Sequence, residues 1–222
     1  MHHKLPTAPD LSGRVAIVTG AGQPAGAAVA RALAAAGARV AVNDLNPDRI
    51  ARLAAELRAA GGQALDVTAD VANKFQCVNL IETTRAEWER VDILVNATRV
   101  RPNASVLKMD EWEWMRCADV NLKSVFFMSQ LVGRVIDDQN QAGMSERGGL
   151  IVNLAWPEPE ETGASAFAAA QAGVLAFSRA CAREYEPLGI RVHTLLVEPD
   201  DLTAIAEAVL RLCQGPGKSA LP

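Results

Sequence analysis

Residues 14–26 read RVAIVTGAGQPAG. An apolar, β-branched run breaks into closely spaced glycines and then turns helical. Gly20, Gly22 and Gly26 allow a tight turn and let a ligand come close to the backbone where the next helix begins. A plain strand-to-helix turn also uses glycine, so the meaning of this stretch depends on the rest of the chain.

Beyond it the pattern is a strict alternation. Apolar runs at 39–44, 63–70, 91–97, 148–155 and 190–199 read as strands after the first at 14–20. Between and after them, 24–37, 46–62, 73–90, 110–138, 164–186 and 200–213 carry helical spacing. Pro47 near a helix start and Gly61 at its end obey the usual asymmetry of helix termini. Short, continuously apolar strands that alternate with helices predict a parallel sheet covered on both faces. Right-handed crossovers then make a doubly wound α/β fold of six strands. No linker-like stretch divides the 222 residues, so one domain is expected over 1–222, with tails at 1–10 and 214–222.

Asp44 ends the second strand, 18 residues past Gly26. A carboxylate there accepts hydrogen bonds from ribose hydroxyls and repels a 2′-phosphate, which favours NAD over NADP. Strand, glycine turn, helix and acid together predict the dinucleotide-binding (Rossmann) fold.

Composition excludes several other classes. Half the residues are hydrophobic and the formal charge is −4, so no basic footprint for nucleic acid or lipid exists. No apolar run is long enough to span a membrane. Cys77, Cys117, Cys181 and Cys213 lie far apart without metal spacing, which predicts buried thiols, no metal site and a reducing, cytoplasmic setting. MHHKLPTAPD at 1–10 lacks the apolar core of a secretory signal.

TGAGQPAG (19–26), VND (42–44), ADV (69–71), VDILVNA (91–97), DVNLKSVFF (119–127), GGLIVNLA (148–155), AGVLAFSRACAREY (172–185) and GIRVHTLLVEP (189–199) resemble, in order and spacing, the short-chain dehydrogenase/reductase family. The resemblance implies cofactor contacts at Gly20, Gly22, Gly26, Asp44, Asp70, Val71 and Asn96. It also implies a catalytic Asn at Asn121, and a Ser, Tyr and Lys at positions 156, 167 and 171.

Those last three positions carry Trp156, Phe167 and Gln171. Phe has no exchangeable proton, Gln has no charge to stabilise a tyrosinate, and Trp is too bulky for the serine's place. Pro24 replaces a turn glycine and lacks an N–H. Arg99 replaces a glycine of the family's N-N-A-G, read here as NATR (96–99), and Arg99 could instead reach a phosphate. VEPDDLTAIAEAVLRLC runs from the sixth strand straight into a helix, without the family's substrate lid or a clear last strand.

The first expectation is therefore a non-catalytic subunit that binds no cofactor, or NAD only weakly. It would pair with an active short-chain dehydrogenase through helices 110–138 and 164–186. In those helices Ala168, Ala172, Ala176 and Ala180 recur every fourth residue, near Val174, Leu175 and Phe177, and face Val125, Phe126, Met128 and Val132 of the other helix. Two alternatives stand beside it. One is an active NAD-dependent alcohol or ketone oxidoreductase using Asn121 and an acid from Glu158, Glu160 or Glu161. The other is a nucleotide sensor in which Asp44 and Asp70 hold adenosine. His193 reads as a packed or surface residue, and Tyr185 lies too far along its helix to replace the missing hydroxyl.

Overall fold

The computed structural model describes residues 9–144, 148–158, 161–198 and 201–214. Its strands are β1 (Val15–Thr19), β2 (Arg39–Asp44), β3 (Gln63–Thr68), β4 (Ile93–Asn96), β5 (Gly149–Ala155) and β6 (Ile190–Leu196). They form one sheet in the order β3-β2-β1-β4-β5-β6, with every pair parallel. The chain reverses direction across the sheet between β3 and β4, so the carboxyl ends of β1 and β4 flank a crevice.

Alternation along each strand divides the core in two. Ala16, Val18, Val40 and Val95 face α1 (Pro24–Ala35), α2 (Pro47–Ala59) and α7 (Leu202–Cys213). Val15, Ile17, Ala41 and Leu94 face α3 (Lys74–Trp88), α5 (Ser124–Gln141) and α6 (Ser165–Tyr185). Local chemistry sets the helix ends. Asn46 caps α2 by accepting from the Arg49 N–H at 3.1 Å, and Gly61, at φ +87°, lies just past its end. Asp110 and Glu113 make a reciprocal capping box at the start of α4 (Glu111–Ala118).

The long helix expected over 110–138 runs without interruption from 111 to 141, and a π-helical turn, Asp119–Lys123, lies within it between α4 and α5 (Ser124–Gln141). The expected docking faces also divide. Val125, Met128, Val132 and Val174 are buried in the chain's own core, whereas Ala172, Ala176 and Phe126 are exposed. Only residues 197–201 join β6 to α7, which leaves no length for a lid. The stretch GPGKSALP (215–222) lies outside the described residues. No helix among the described residues is long and apolar enough to cross a membrane.

At the amino ends of the strands, Asp92 is 1% exposed. It accepts from the Val15 N–H at 2.9 Å and from Arg90 at 2.8 and 2.6 Å. Arg14 donates to the carbonyls of Asp92 and Gly148, so one ionic cluster joins the starts of β1, β4 and β5. On the opposite side of α5, Tyr185 donates to the Ser129 carbonyl at 3.1 Å, and its ring occupies the space a Cβ at Gly133 would need.

Two outcomes are expected. Asp92→Ala leaves the largely buried Arg90 guanidinium and the Val15 N–H without their acceptor. It lowers the unfolding free energy by about 3–5 kcal/mol, read from urea denaturation. Burial, with smaller effects of Cys181 and Glu184, pushes the Tyr185 phenol up to about 12. The unfolded chain releases that proton above pH ~10. The contribution of Tyr185 is therefore complete below pH ~10 and is lost as pH rises toward about 12. Ultraviolet difference absorbance, with one tyrosine in the chain, reports this directly.

Candidate functional site

The glycine-rich turn leads from β1 into an α1 whose first turn has no side-chain cap, unlike α2, α3, α4 and α7. Pro24 stands at the first helical position, where its missing N–H has no intrahelical role. Ala25 and Gly26 come next, and their amides also lack intrahelical acceptors. Each glycine has a steric reason. A Cβ at Gly20 would stand 2.7 Å from the Ala97 carbonyl oxygen, one at Gly22 would stand 2.7 Å from Asp44 Cγ, and one at Gly26 would strike the Gly20 carbonyl.

One cleft gathers Gly20, Asp44, Asp70 and Val71 with Thr98, Arg99 and Arg116. Asp44 uses Oδ1 to accept from the Asn46 N–H at 3.0 Å. Its carboxylate therefore points along the turn at Gly22, where ribose hydroxyls would reach it. Asp70 accepts from the Ala72 N–H at 3.0 Å and from Arg116 at 3.0 Å. These residues fit the adenosine half of a dinucleotide: uncapped amides at a helix start, a carboxylate at the end of β2, and a wall at Asp70–Val71.

The loop after β4 closes the cleft from the other side. Gln23 Nε2 donates to the Arg99 carbonyl at 2.9 Å. Asn121, in the π-helical turn and 2% exposed, donates to the Val100 carbonyl at 2.7 Å and the Cys117 carbonyl at 2.8 Å. It also accepts from the Val100 N–H at 3.2 Å. Asn121 thus holds this loop through both polar groups of Val100. Asn96 does not line the cleft. It is buried in the sheet and donates to Asn153 Oδ1 at 2.8 Å, and Asn153 in turn donates to Ser178 Oγ at 2.8 Å.

Trp156, Phe167 and Gln171 come together at the carboxyl end of β5, all buried. Trp156 and Phe167 belong to the same apolar cluster as Leu154, Ala166 and Val197. The Trp156 N–H donates to Gln171 Oε1 at 3.0 Å, which fixes the amide's orientation and leaves Nε2 as its donor end. Arg99 Cζ lies 5.3 Å from the centroid of the Trp156 ring. The acid-rich loop beyond β5 supplies little acid. Arg101 hydrogen-bonds Glu161 at 2.7 Å and holds its carboxyl below the usual range. Glu158 is exposed, and Glu160 lies outside the described residues. His193 lines a separate groove between β6 and the end of α6, and burial with Arg191 lowers its pKa. The four cysteines are buried, and no metal-binding cluster exists among the described residues.

Arg116 and Gln23 line the cleft, and Asn153 and Ser178 lie buried behind it, although the sequence reading passes over all four. Asn96 and Asn153 each interrupt a buried apolar strand, which is a readable sign of a polar pair. Arg116 and Gln23 act through tertiary contacts that no local pattern marks.

The family model for short chain dehydrogenase matches residues 14–209. A (5R,7aS)-5-hydroxy-7a-methyl-1-oxo-2,3,5,6,7,7a-hexahydro-1H-indene-carboxyl-CoA reductase of Mycobacterium tuberculosis is 37% identical over 96% of this chain and 83% of its own. A 3-oxoacyl-[acyl-carrier-protein] reductase of Synechocystis is 33% identical over 83% of this chain and 73% of its own. A metagenomic short-chain oxidoreductase solved in complex with NADP superposes with a TM-score of 0.84 at 27% identity, over 96% and 95% of the two chains.

These findings overturn two expectations. A non-catalytic subunit does not agree with relatives at 33–37% identity that are named as reductases. An absent or weakly held cofactor does not agree with a neighbour that holds NADP, and the glycine cradle and Asp44 leave the cleft open. The close approaches at Gly20, Gly22 and Gly26 and the Asp44 carboxylate remain beside the cleft. Removing the amide in Asn121→Ala should release the Val100 loop, lower stability by about 1–3 kcal/mol and speed amide hydrogen exchange over 97–101. Matched along most of its length, the chain belongs to the short-chain dehydrogenase/reductase family.

Proposed function

We propose that the protein is a nicotinamide-dependent oxidoreductase acting on an alcohol or carbonyl substrate, a divergent family member with Trp156, Phe167 and Gln171 in place of Ser, Tyr and Lys. The supporting observation is the open cleft in which the Asp44 carboxylate lies against Gly22 at the start of an uncapped helix. Relatives named as reductases of an acyl-CoA-type and an acyl-carrier substrate support a carbonyl as the reacting group.

When bound, the nicotinamide cofactor supplies or accepts the hydride. The chain's own residues do the rest. Asp44 accepts the ribose hydroxyls and favours NAD. The amides of Ala25 and Gly26 face the pyrophosphate. Asn121 keeps the wall at Val100 in place, and Trp156 with Phe167 packs the β5 end. Residues 167 and 171 hold no hydroxyl or ammonium, so the substrate oxygen exchanges its proton with water. An internal general acid contributes roughly 10²–10⁴-fold to rate, and turnover is expected to be lower by that order. The exposed stripe of Ala172 and Ala176, with Phe126 and Phe177 making an edge-on contact at 6.2 Å, is the face through which we propose that short-chain dehydrogenase subunits pair.

The test is NAD(H)- and NADP(H)-linked turnover by the purified chain over a broad panel of alcohols, ketones and thioesters. Slow turnover with a preference for NAD is expected. The triple variant Trp156→Ser, Phe167→Tyr, Gln171→Lys should raise kcat by about 10²–10⁴-fold. No turnover from either protein, with no cofactor binding by calorimetry, overturns the reading.

A further inference from the structure

We propose that Arg116 is a specificity-determining residue, which together with Asp70 reads the N6–N7 edge of the cofactor's base and selects adenine over guanine and hypoxanthine. This rests on the oxidoreductase reading. Asp44 serves the ribose, and the same cleft takes in Asp70 and Arg116. Leu45, Val71 and Val120 give it apolar sides, which suit the faces of a flat ring. The edge of such a ring needs polar partners, and the Asp70–Arg116 ion pair supplies them.

Both members of the pair are within reach of a ligand. Arg116 donates from Nη1 to Asp70 Oδ2 at 3.0 Å, and the two side chains stay 30% and 26% exposed. Asp70 is anchored on its far side. Its Oδ1 accepts from the Ala72 N–H at 3.0 Å, and its own N–H donates to Gln76 Oε1 at 2.6 Å. Arg116 makes no other hydrogen bond or ion pair among the described residues, so most of its N–H donors are unused. A carboxylate oxygen accepts more than one hydrogen bond. The pair thus presents an acceptor beside a donor. Adenine carries the complement, an N6 amino donor beside the N7 acceptor, whereas guanine places two acceptors, O6 and N7, along that edge. Hypoxanthine shares that O6. With either of these bases an oxygen would face the Asp70 carboxylate and leave both without a proton between them. Arg116 supplies the donor for N7, and by bridging Asp70 it fixes which way round the edge is read.

The experiment titrates the full chain calorimetrically with NAD, with its 7-deazaadenine analogue, and with the nicotinamide hypoxanthine and guanine dinucleotides. Wild type, Arg116→Met and Arg116→Lys are compared. Wild type is expected to bind each of the three analogues about 10- to 100-fold more weakly than NAD. The 7-deaza analogue keeps the amino group and lacks only the acceptor that faces Arg116. Arg116→Met should therefore bind NAD and the 7-deaza analogue alike, which a merely structural role would not bring about, and Arg116→Lys should recover part of the difference. The wild-type series needs no variant to fold. NAD binding and turnover without discrimination among the bases, or a 7-deaza analogue that binds wild type as well as NAD does, overturns the proposal and leaves the oxidoreductase reading standing. A wild type that binds no dinucleotide and turns nothing over removes both.

Discussion

The grip of Asn121 on Val100 organises the reactive half of this protein. A single carboxamide, buried in a turn wider than an α-helix allows, satisfies the carbonyl and the N–H of one loop residue together with the Cys117 carbonyl. The π-helical turn is what brings the side chain to that loop, and such turns concentrate where a helix must present a group out of register. Through Val100 the constraint reaches Arg99, and through Arg99 it reaches Gln23 on the glycine turn. The cofactor end and the reactive end therefore share one wall.

The contents of that wall differ from one side of the site to the other. On the cofactor side, Gly20, Asp44 and the Asp70–Arg116 pair line an open cleft. On the reactive side, an indole and a phenyl ring sit in the apolar core, and a glutamine amide serves the backbone of Trp156. The three residues are mutually consistent. Phe167 needs no hydrogen-bond partner, Gln171 finds one in the main chain, and Trp156 brings its ring to a cation. Such consistency is expected of a packed arrangement rather than of an eroded one.

Much of the fold was legible because its signals are local and repeated. Apolar strand runs, the glycines at 20, 22 and 26, and Asp44 at the end of β2 each carry a backbone or burial requirement that one residue type meets. The wider turn at 119–123 was not legible. Nothing in DVNLK opposes an ordinary α-helix, and the Asn121–Val100 hydrogen bonds that accompany the wider turn are tertiary contacts. The faces of α5 and α6 were half legible: periodicity showed that Val125, Met128 and Val132 are apolar, but whether they meet their own sheet or another chain depends on layers that spacing does not describe. Reading function from three side chains misled for a related reason. The residue types at 156, 167 and 171 bear on one mechanism, whereas the cleft and the relatives bear on the chain as a whole.

The buried row from Asn96 through Asn153 to Ser178 has a consequence for how the centre of the sheet assembles. β4 and β5 are short, apolar and rich in look-alike residues, so hydrophobic contact alone would accept several alignments of one against the other. Shifting β5 by one residue would turn Asn153 to the opposite face and strand two amides and a hydroxyl in an oily interior. The row thus works as a keyed joint: it adds little to cohesion, but it makes every misaligned pairing expensive, and the mouth of the crevice forms only once the key has seated.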